Sequence, residues 1–147
     1  MTTESPPRPV TIRCPSCNRL NRVDLRRLGD GPKCGGCQLP LRLDAPVPAS
    51  EADFDRIVNS AGVPVVVDFY ADWCGPCKIM APVLDKFARD RKGDVLVLKV
   101  DTDRNAGVSQ RFGIRGIPTI IAFDRGKERG RLVGAVDRQA LDGLLAG

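Results

Sequence analysis

The chain has 147 residues, with 23 basic and 18 acidic side chains, six cysteines and no histidine. That length allows one ordinary domain and a small appendage, and the missing histidine excludes metal sites that use imidazole ligands. No stretch approaches the ~18 apolar residues of a membrane span, and the first ten residues lack the apolar core of a signal peptide, so a cytoplasmic location without a membrane partner is expected.

The N-terminal third carries four cysteines in the pattern C-x2-C-x16-C-x2-C: Cys14, Cys17, Cys34 and Cys37. This spacing is typical of a four-cysteine zinc site in which each pair forms a tight knuckle, and Gly35 and Gly36 are expected to permit the turn. Four thiolates leave no open coordination position, so one structural zinc ion per chain is expected. A segment of about forty residues buries too little apolar surface to fold alone, so metal binding would supply most of its folding free energy.

Two other interpretations of this module are open. The cysteine pairs could be additional redox pairs, although neither follows an apolar strand. The module also holds a cluster of basic side chains that could contact nucleic-acid phosphates: Arg13, Arg19, Arg22, Arg26, Arg27 and Lys33. Residues 1–50 contain no aromatic side chain on which bases could stack. A solvated basic surface is therefore favoured over a nucleic-acid interface, and a docking surface for proteins lies between the two.

The composition also suggests where the segments divide. Residues 1–9 are polar and proline-rich and are expected to form a flexible tail before a module over residues 10–43. Residues 44–50 contain two prolines and are expected to form a short, stiff linker, part of which could pair as an edge strand. The following S-E-A-D sequence resembles a capping box. It predicts an amphipathic helix that buries Phe54, Ile57 and Val58.

The most informative stretch is residues 65–78, V-V-V-D-F-Y-A-D-W-C-G-P-C-K. Val65–Tyr70 is predicted to be a buried strand, and Cys74 to open the helix that follows. Apolar residues recur in this helix at i, i+3 and i+4 spacing: Ile79, Met80, Val83, Leu84, Phe87 and Ala88.

Cys74 and Cys77 lie on the first helical turn and face the same way, so they can close a disulfide with little backbone movement. Free backbone N–H groups and the helix dipole favour a thiolate at Cys74, which is expected to be the more exposed of the pair. The pattern predicts thiol–disulfide exchange, with Cys74 as nucleophile and Cys77 as the resolving thiol. The alternatives are half of a metal site or an inert bridge, but the upstream cysteines already form a complete ligand set.

The remainder alternates strands and helices. A strand is predicted over Val95–Val100, a short helix near residues 105–112, and a hairpin from Thr119–Phe123 and Arg129–Gly134. A closing helix capped by Asp137 would bury three leucines: Leu141, Leu144 and Leu145. This order predicts an α/β domain with a central mixed sheet flanked by helices.

W-C-G-P-C-K after an apolar strand resembles the active site of the thioredoxin family, and the resemblance extends over residues 51–147. It implies the thioredoxin fold with a small N-terminal zinc-ribbon module, as in the bacterial thioredoxins that carry such a ribbon.

The resemblance also implies roles for further residues. Asp68, a carboxylate in an apolar strand, would be a general acid/base for Cys77, with a pKa raised by burial and tuned by Lys99; alternatively, Lys99 merely neutralises it. Pro118 matches a proline that is cis in the family. A substrate groove would comprise Trp73, Gly75, Pro76, Ile117, Pro118, Gly134 and Ala135.

The implied function is reduction of disulfides in oxidised client proteins. An NADPH-linked thioredoxin reductase would return the protein to its reduced form, and no tightly bound organic cofactor is expected. One alternative is an oxidase or isomerase, which the Gly-Pro dipeptide argues against. Another is a zinc-dependent, redox-regulated chaperone or binding module on a thioredoxin scaffold.

Overall fold

The computed structural model describes residues 6–146. A small antiparallel sheet pairs β1 (Pro9–Arg13) with β2 (Leu20–Asp24), and a 3-10 helix over Leu25–Asp30 follows. A five-stranded sheet contains β3 (Val47–Pro48), β4 (Val65–Tyr70), β5 (Leu96–Asp101), β6 (Thr119–Asp124) and β7 (Lys127–Val133). The α-helices of this part of the chain are α1 (Phe54–Ser60), α2 (Gly75–Asp90), α3 (Ala106–Arg111) and α4 (Arg138–Leu145).

The larger sheet is mixed, and β4 lies at its centre. The strand order is β3-β5-β4-β6-β7, with β3, β5 and β4 parallel and β6 and β7 antiparallel. Odd-numbered side chains of β4 pack with α1 and α3, whereas Val66 packs with α2 and α4. Burial on both faces explains why this strand reads as a continuous apolar run. The predicted central mixed sheet flanked by helices is confirmed.

Several boundaries differ from the predictions. Residues 1–5 of the expected tail lie outside the described residues, but Arg8 and Pro9 belong to the fold. The backbone N–H of Arg8 donates to Asp24 Oδ1 (3.1 Å), and its guanidinium donates to Asp94 Oδ1 (2.7 Å). β7 begins two residues earlier than predicted, because Arg125 and Gly126 both adopt positive φ and close a two-residue hairpin turn.

The N-terminal module shares its hydrophobic core with the larger domain. Val10, Ile12 and Leu25 belong to the same contiguous core as Phe54 and Ile57 of α1. The expectation that metal binding supplies most of the module's folding free energy is therefore incomplete. Burial against α1 also stabilises it, and the expected linker does not coincide with a break in the core.

Polar contacts join the two parts of the chain as well. Asp53, only 3% exposed, accepts a hydrogen bond from Arg13 Nε at 2.6 Å. Its other oxygen accepts from the backbone N–H of Ser50 at 2.9 Å. The predicted capping box is thus half formed, since Asp53 reaches back to Ser50 but the Ser50 hydroxyl donates to Asp53 rather than capping the helix. The carboxylate thus binds Arg13, the residue that precedes the candidate zinc ligand Cys14.

We expect Gly62→Ala to destabilise the protein by about 1–3 kcal/mol. The Gly62 N–H donates to Pro9 O (2.8 Å), and a Cβ at this position would lie 2.7 Å from Pro9 Cδ. Gly143→Ala is the matched control, because its Cβ meets nothing within 4 Å inside α4, and it should stabilise by about 0.5–1 kcal/mol. Chemical unfolding of both variants measures the difference; equal effects would contradict close packing at Gly62.

No helix between residues 6 and 146 has both the length and the apolar character needed to cross a bilayer.

Candidate active site and metal centre

The two cysteines of the C-G-P-C sequence lie at the N-terminus of α2. Cys74 is the N-cap residue, and its Sγ accepts a hydrogen bond from the backbone N–H of Cys77 at 3.2 Å. A disulfide joins Cys74 to Cys77, with 5.3 Å between their Cα atoms. Because the Cys77 N–H at the start of the helix points at Cys74 Sγ, this position favours a thiolate once the disulfide is reduced.

The expectation that Cys74 is the more exposed cysteine is wrong for this oxidised form. Cys74 is 3% exposed and Cys77 is 5% exposed. Both pack in a small cluster with Ala71, against Tyr70 and Ile117. The two cysteines therefore differ in their position at the helix terminus and not in their exposure.

Part of the predicted groove lies against the disulfide. The Ile117–Pro118 peptide bond is cis, and Ile117 O lies 3.6 Å from Cys74 Sγ. The N–H of Gly134 donates to Pro118 O at 2.7 Å, which brings the end of β7 beside this loop. Three further predicted members lie close in sequence to these groups and are exposed: Gly75, Pro76 and Ala135.

Two exposed apolar side chains were not predicted as surface residues. Val133, at the end of β7, is exposed next to Gly134, and Gly116 approaches its side chain. Ile79 was assigned to the buried stripe of α2 but is exposed near the start of that helix. Both enlarge the apolar surface at this end of the molecule.

Trp73 is held by a residue that sequence reasoning missed. Its side chain is 69% exposed, and its indole N–H donates to Asp103 Oδ2 at 2.8 Å. Asp103 follows β5, the parallel neighbour of β4. Because parallel neighbours end at the same sheet edge, the topology was the available signal for this contact.

Asp68 is buried in the wall of a cavity. It is 7% exposed, and its Oδ1 atom has no hydrogen-bond partner within residues 6–146. Burial raises the pKa of Asp68 to about 7, and the positive charge of Lys99, its register partner on β5, acts in the opposite direction. The cavity, of about 340 Å³, has Asp68, Cys77 and Lys99 in its wall. The structure thus brings together the three groups that were expected to act on each other.

The four N-terminal cysteines form a compact cluster. All four Sγ atoms lie within 4.8 Å of one another, with 3.7 Å between Cys14 and Cys37 and 3.4 Å between Cys17 and Cys34. Zinc–sulfur bonds of about 2.3 Å in a tetrahedron require sulfur atoms about 3.8 Å apart. The cluster therefore fits a zinc ion.

The two knuckles share one geometry, and its turn residue differs from the prediction. Asn18 and Gln38, each following the second cysteine of a pair, adopt positive φ, whereas Gly35 and Gly36 do not. Space is restricted at Gly36 instead, since a Cβ there would lie 3.0 Å from Arg19 Cδ.

Hydrogen bonds orient one of the thiols. Cys34 Sγ accepts from the Gly36 N–H (3.3 Å) and from Asn21 Nδ2 (3.5 Å). With the backbone N–H of Cys37 as the main cause, such bonds lower the pKa of Cys34 to about 6. They favour the thiolate that metal binding needs.

Half of the side chains in the predicted basic cluster form ion pairs within the protein. Arg13 pairs with Asp53, Arg26 with Asp24, and Arg27 with Asp30. Arg19 packs along Gly35 and Gly36, so four of the six basic side chains contact other groups of the protein.

Comparisons with known proteins agree with this architecture. Residues 45–146 match the family model described as Thioredoxin, and residues 13–38 match the one described as Thioredoxin 2, N-terminal. The chain is 39% identical over 109 residues to Thioredoxin M-type, chloroplastic, of Zea mays, covering 74% of this chain and 65% of that protein. It is 36% identical over 127 residues to Thioredoxin C-3 of Corynebacterium nephridii, covering 86% and 87%.

A solved structure is similar over the same domain. The N21Q mutant thioredoxin from Halobacterium salinarum NRC-1 superposes with a TM-score of 0.64 at 33% identity, covering 71% of this chain and 90% of that chain. The chain belongs to the thioredoxin family of thiol–disulfide oxidoreductases, with an N-terminal zinc ribbon of the Thioredoxin 2 type.

Proposed function

We propose that this protein is a protein-disulfide reductase that works through the Cys74–Cys77 dithiol. The observation that carries the proposal is the position of Cys74 Sγ, which accepts the Cys77 N–H and lies beside Ile117 O. A nucleophile at that position can be ionised by the helix terminus while the neighbouring backbone binds an extended client segment.

The reaction comprises two exchanges. The Cys74 thiolate attacks one sulfur of the client disulfide, which forms a mixed disulfide and releases the other client sulfur as a thiolate. Cys77 then loses its proton and attacks the Cys74 sulfur, which breaks the mixed disulfide and releases the second client thiolate. The client gains two electrons and two protons, and the Cys74–Cys77 disulfide forms.

Asp68 would exchange the proton of Cys77. Both groups line the same cavity, so a water molecule can connect a carboxyl oxygen with the thiol. A carboxyl group with its pKa raised to about 7 by burial can accept and return a proton near neutral pH. Lys99 would tune that pKa.

The surface around the disulfide would bind the client. Trp73 precedes Cys74, Gly75 and Pro76 separate the two cysteines, and Ile117 O lies 3.6 Å from Cys74 Sγ. Gly134 and Ala135 would complete the groove, with the backbone of Ile117 pairing to the client segment.

The proposal also includes the partners, the location and the metal ion of the protein. The oxidised protein would be reduced by an NADPH-linked thioredoxin reductase, and oxidised proteins would be its clients. A cytoplasmic location would suit a protein maintained in its dithiol form. One zinc ion per chain, held by the four-cysteine cluster, would stabilise the fold without taking part in the exchange, and no organic cofactor would be tightly bound.

Reduction of insulin disulfides, driven by NADPH and thioredoxin reductase, tests the proposal. Cys74→Ser should reduce the rate to the uncatalysed level. Cys77→Ser should perform the first exchange and accumulate a mixed disulfide that mass spectrometry detects. If the wild type did not reduce insulin, the protein would be a binding module or chaperone, and retained activity in Cys74→Ser would mean that Cys74 is not the nucleophile. An equilibrium constant against glutathione typical of a strong oxidant would indicate an oxidase.

A further inference from the structure

The segment between the zinc knuckles and α1 is packed along its length. In residues 41–49, which we call the connecting segment, four alternating positions are buried: Leu41, Leu43, Val47 and Ala49. The Leu41 N–H donates to Pro32 O at 2.9 Å, and the Ala49 N–H donates to Lys99 O at 3.0 Å. Anchors at both ends hold the residues between them in place, so the segment is more than a spacer.

The middle of the connecting segment forms a wall of the cavity at Asp68. Ala45 and Pro46 line that cavity together with Asp68, Cys77 and Lys99. Pro48 is exposed and is not part of the cavity wall. The two prolines of one segment therefore have different surroundings.

Charged and polar side chains from other elements also line this cavity. Lys99 comes from β5, and Tyr70 and Asp72 come from the end of β4 and the loop after it. Lys78 and Asp85 of α2 lie at its rim beside Cys77, and β6 opposes Asp68 with the apolar Ile120. The connecting segment brings no charged side chain to the wall, since Ala45 and Pro46 are its only residues that line the cavity. Its effect on Asp68 must therefore be exerted by excluding water.

We propose that Pro46 is a positioning residue for the second exchange, because its ring limits the water that reaches the Asp68 carboxyl group. The proposal rests on the proposed role of Asp68 as proton acceptor for Cys77. When Cys77 attacks the mixed disulfide, its proton passes to Asp68, which later returns a proton through the cavity to solvent. Desolvation disfavours the charged carboxylate, so the cavity wall determines the pH at which Asp68 can accept that proton.

Pro46→Gly in the full chain tests this, with Pro48→Gly as the matched control. Both substitutions increase the flexibility of the unfolded chain alike, but only the first removes a ring from the cavity wall. The ¹³C chemical shift of the Asp68 carboxyl carbon, titrated in oxidised protein, reports the group directly. The rate of the second exchange as a function of pH, followed by fluorescence of Trp73 in single-turnover reactions, reports its function.

We expect Pro46→Gly to lower both pH midpoints by at least about half a unit, and Pro48→Gly to leave both unchanged. Pro46→Ala, which retains a Cβ, should give a smaller shift and serves if the glycine variant does not fold. Equal midpoints in all variants would overturn the proposal, and so would equal shifts in the Pro46 and Pro48 variants.

Asp68→Asn separates this proposal from the one on which it rests. In that background the pH midpoint that Asp68 causes should disappear from the profile of the second exchange, and Pro46→Gly should have no further effect. If Asp68→Asn kept the wild-type profile, the role of Asp68 would be refuted. An effect of Pro46→Gly that persists in the Asp68→Asn background would refute the role of Pro46 alone.

Discussion

Asp68→Asn should stabilise the oxidised protein relative to wild type by an amount that increases between about pH 4 and pH 8. Burial raises the pKa of Asp68 to about 7 from an ordinary value of 3.8. Between these two values the folded protein holds a proton that the unfolded chain has released. The free energy of unfolding of the wild type therefore falls as the pH rises through this interval.

The size of the effect follows from the shift. About three pH units at 1.36 kcal/mol each give about 4 kcal/mol, fully developed above about pH 8 and absent below about pH 4. An asparagine does not ionise, so its own burial cost is the same at every pH. The growth of the difference with pH is thus the diagnostic quantity.

Urea unfolding of oxidised wild type and Asp68→Asn at several pH values measures this growth. Asp85→Asn makes the same chemical change at an exposed residue on the rim of the same cavity. A surface substitution of this kind changes the free energy of unfolding by at most about 0.5 kcal/mol. A constant difference between wild type and Asp68→Asn would mean that Lys99 or water fully compensates the buried charge.

Local patterns in the sequence account for the redox centre and the metal ligands. Cys74 and Cys77 are three positions apart after an apolar strand, and each knuckle is a short-range turn, so spacing brings together the two sulfur atoms within each pair. The strand at Val65–Tyr70 was predicted with its observed bounds because burial on both faces leaves an uninterrupted apolar run.

Contacts between distant segments could not be read from those patterns. Periodicity identifies an apolar face without identifying what covers it, and the faces of β1 and α1 cover each other. The same limit hid the ion pair of Arg13 with Asp53 and the bond from Trp73 to Asp103, which join residues 40 and 30 positions apart. Ile79 lies at the margin of the helical stripe, where spacing does not distinguish a buried side chain from an exposed one.

The shared core leads to a second large effect, because removing the metal should destabilise the whole chain. Val10 and Ile12 of β1 pack in one core with α1, and Arg13, next to the candidate ligand Cys14, completes the hydrogen bonding of buried Asp53. Loss of the metal would release both knuckles and loosen β1. The larger domain would then lose the cover of α1 and the partner of a buried carboxylate.

Urea unfolding of metal-loaded and chelator-treated protein, both reduced, should show single transitions separated by several kcal/mol. That is less than the ~10 kcal/mol of structural zinc in isolated peptides, because burial against α1 persists without metal. Trp73, the one tryptophan of the chain, reports the larger domain, and far-ultraviolet circular dichroism reports the whole chain. Cys17→Ser should reproduce the chelator's effect, whereas Ser16→Ala, at an exposed neighbour with no ligand atom, should not. A core shared by β1 and α1 cannot lose one side without weakening the other, so the Trp73 transition should move when the metal is removed. An unchanged Trp73 transition in metal-free protein would mean that the thioredoxin domain folds independently of its ribbon.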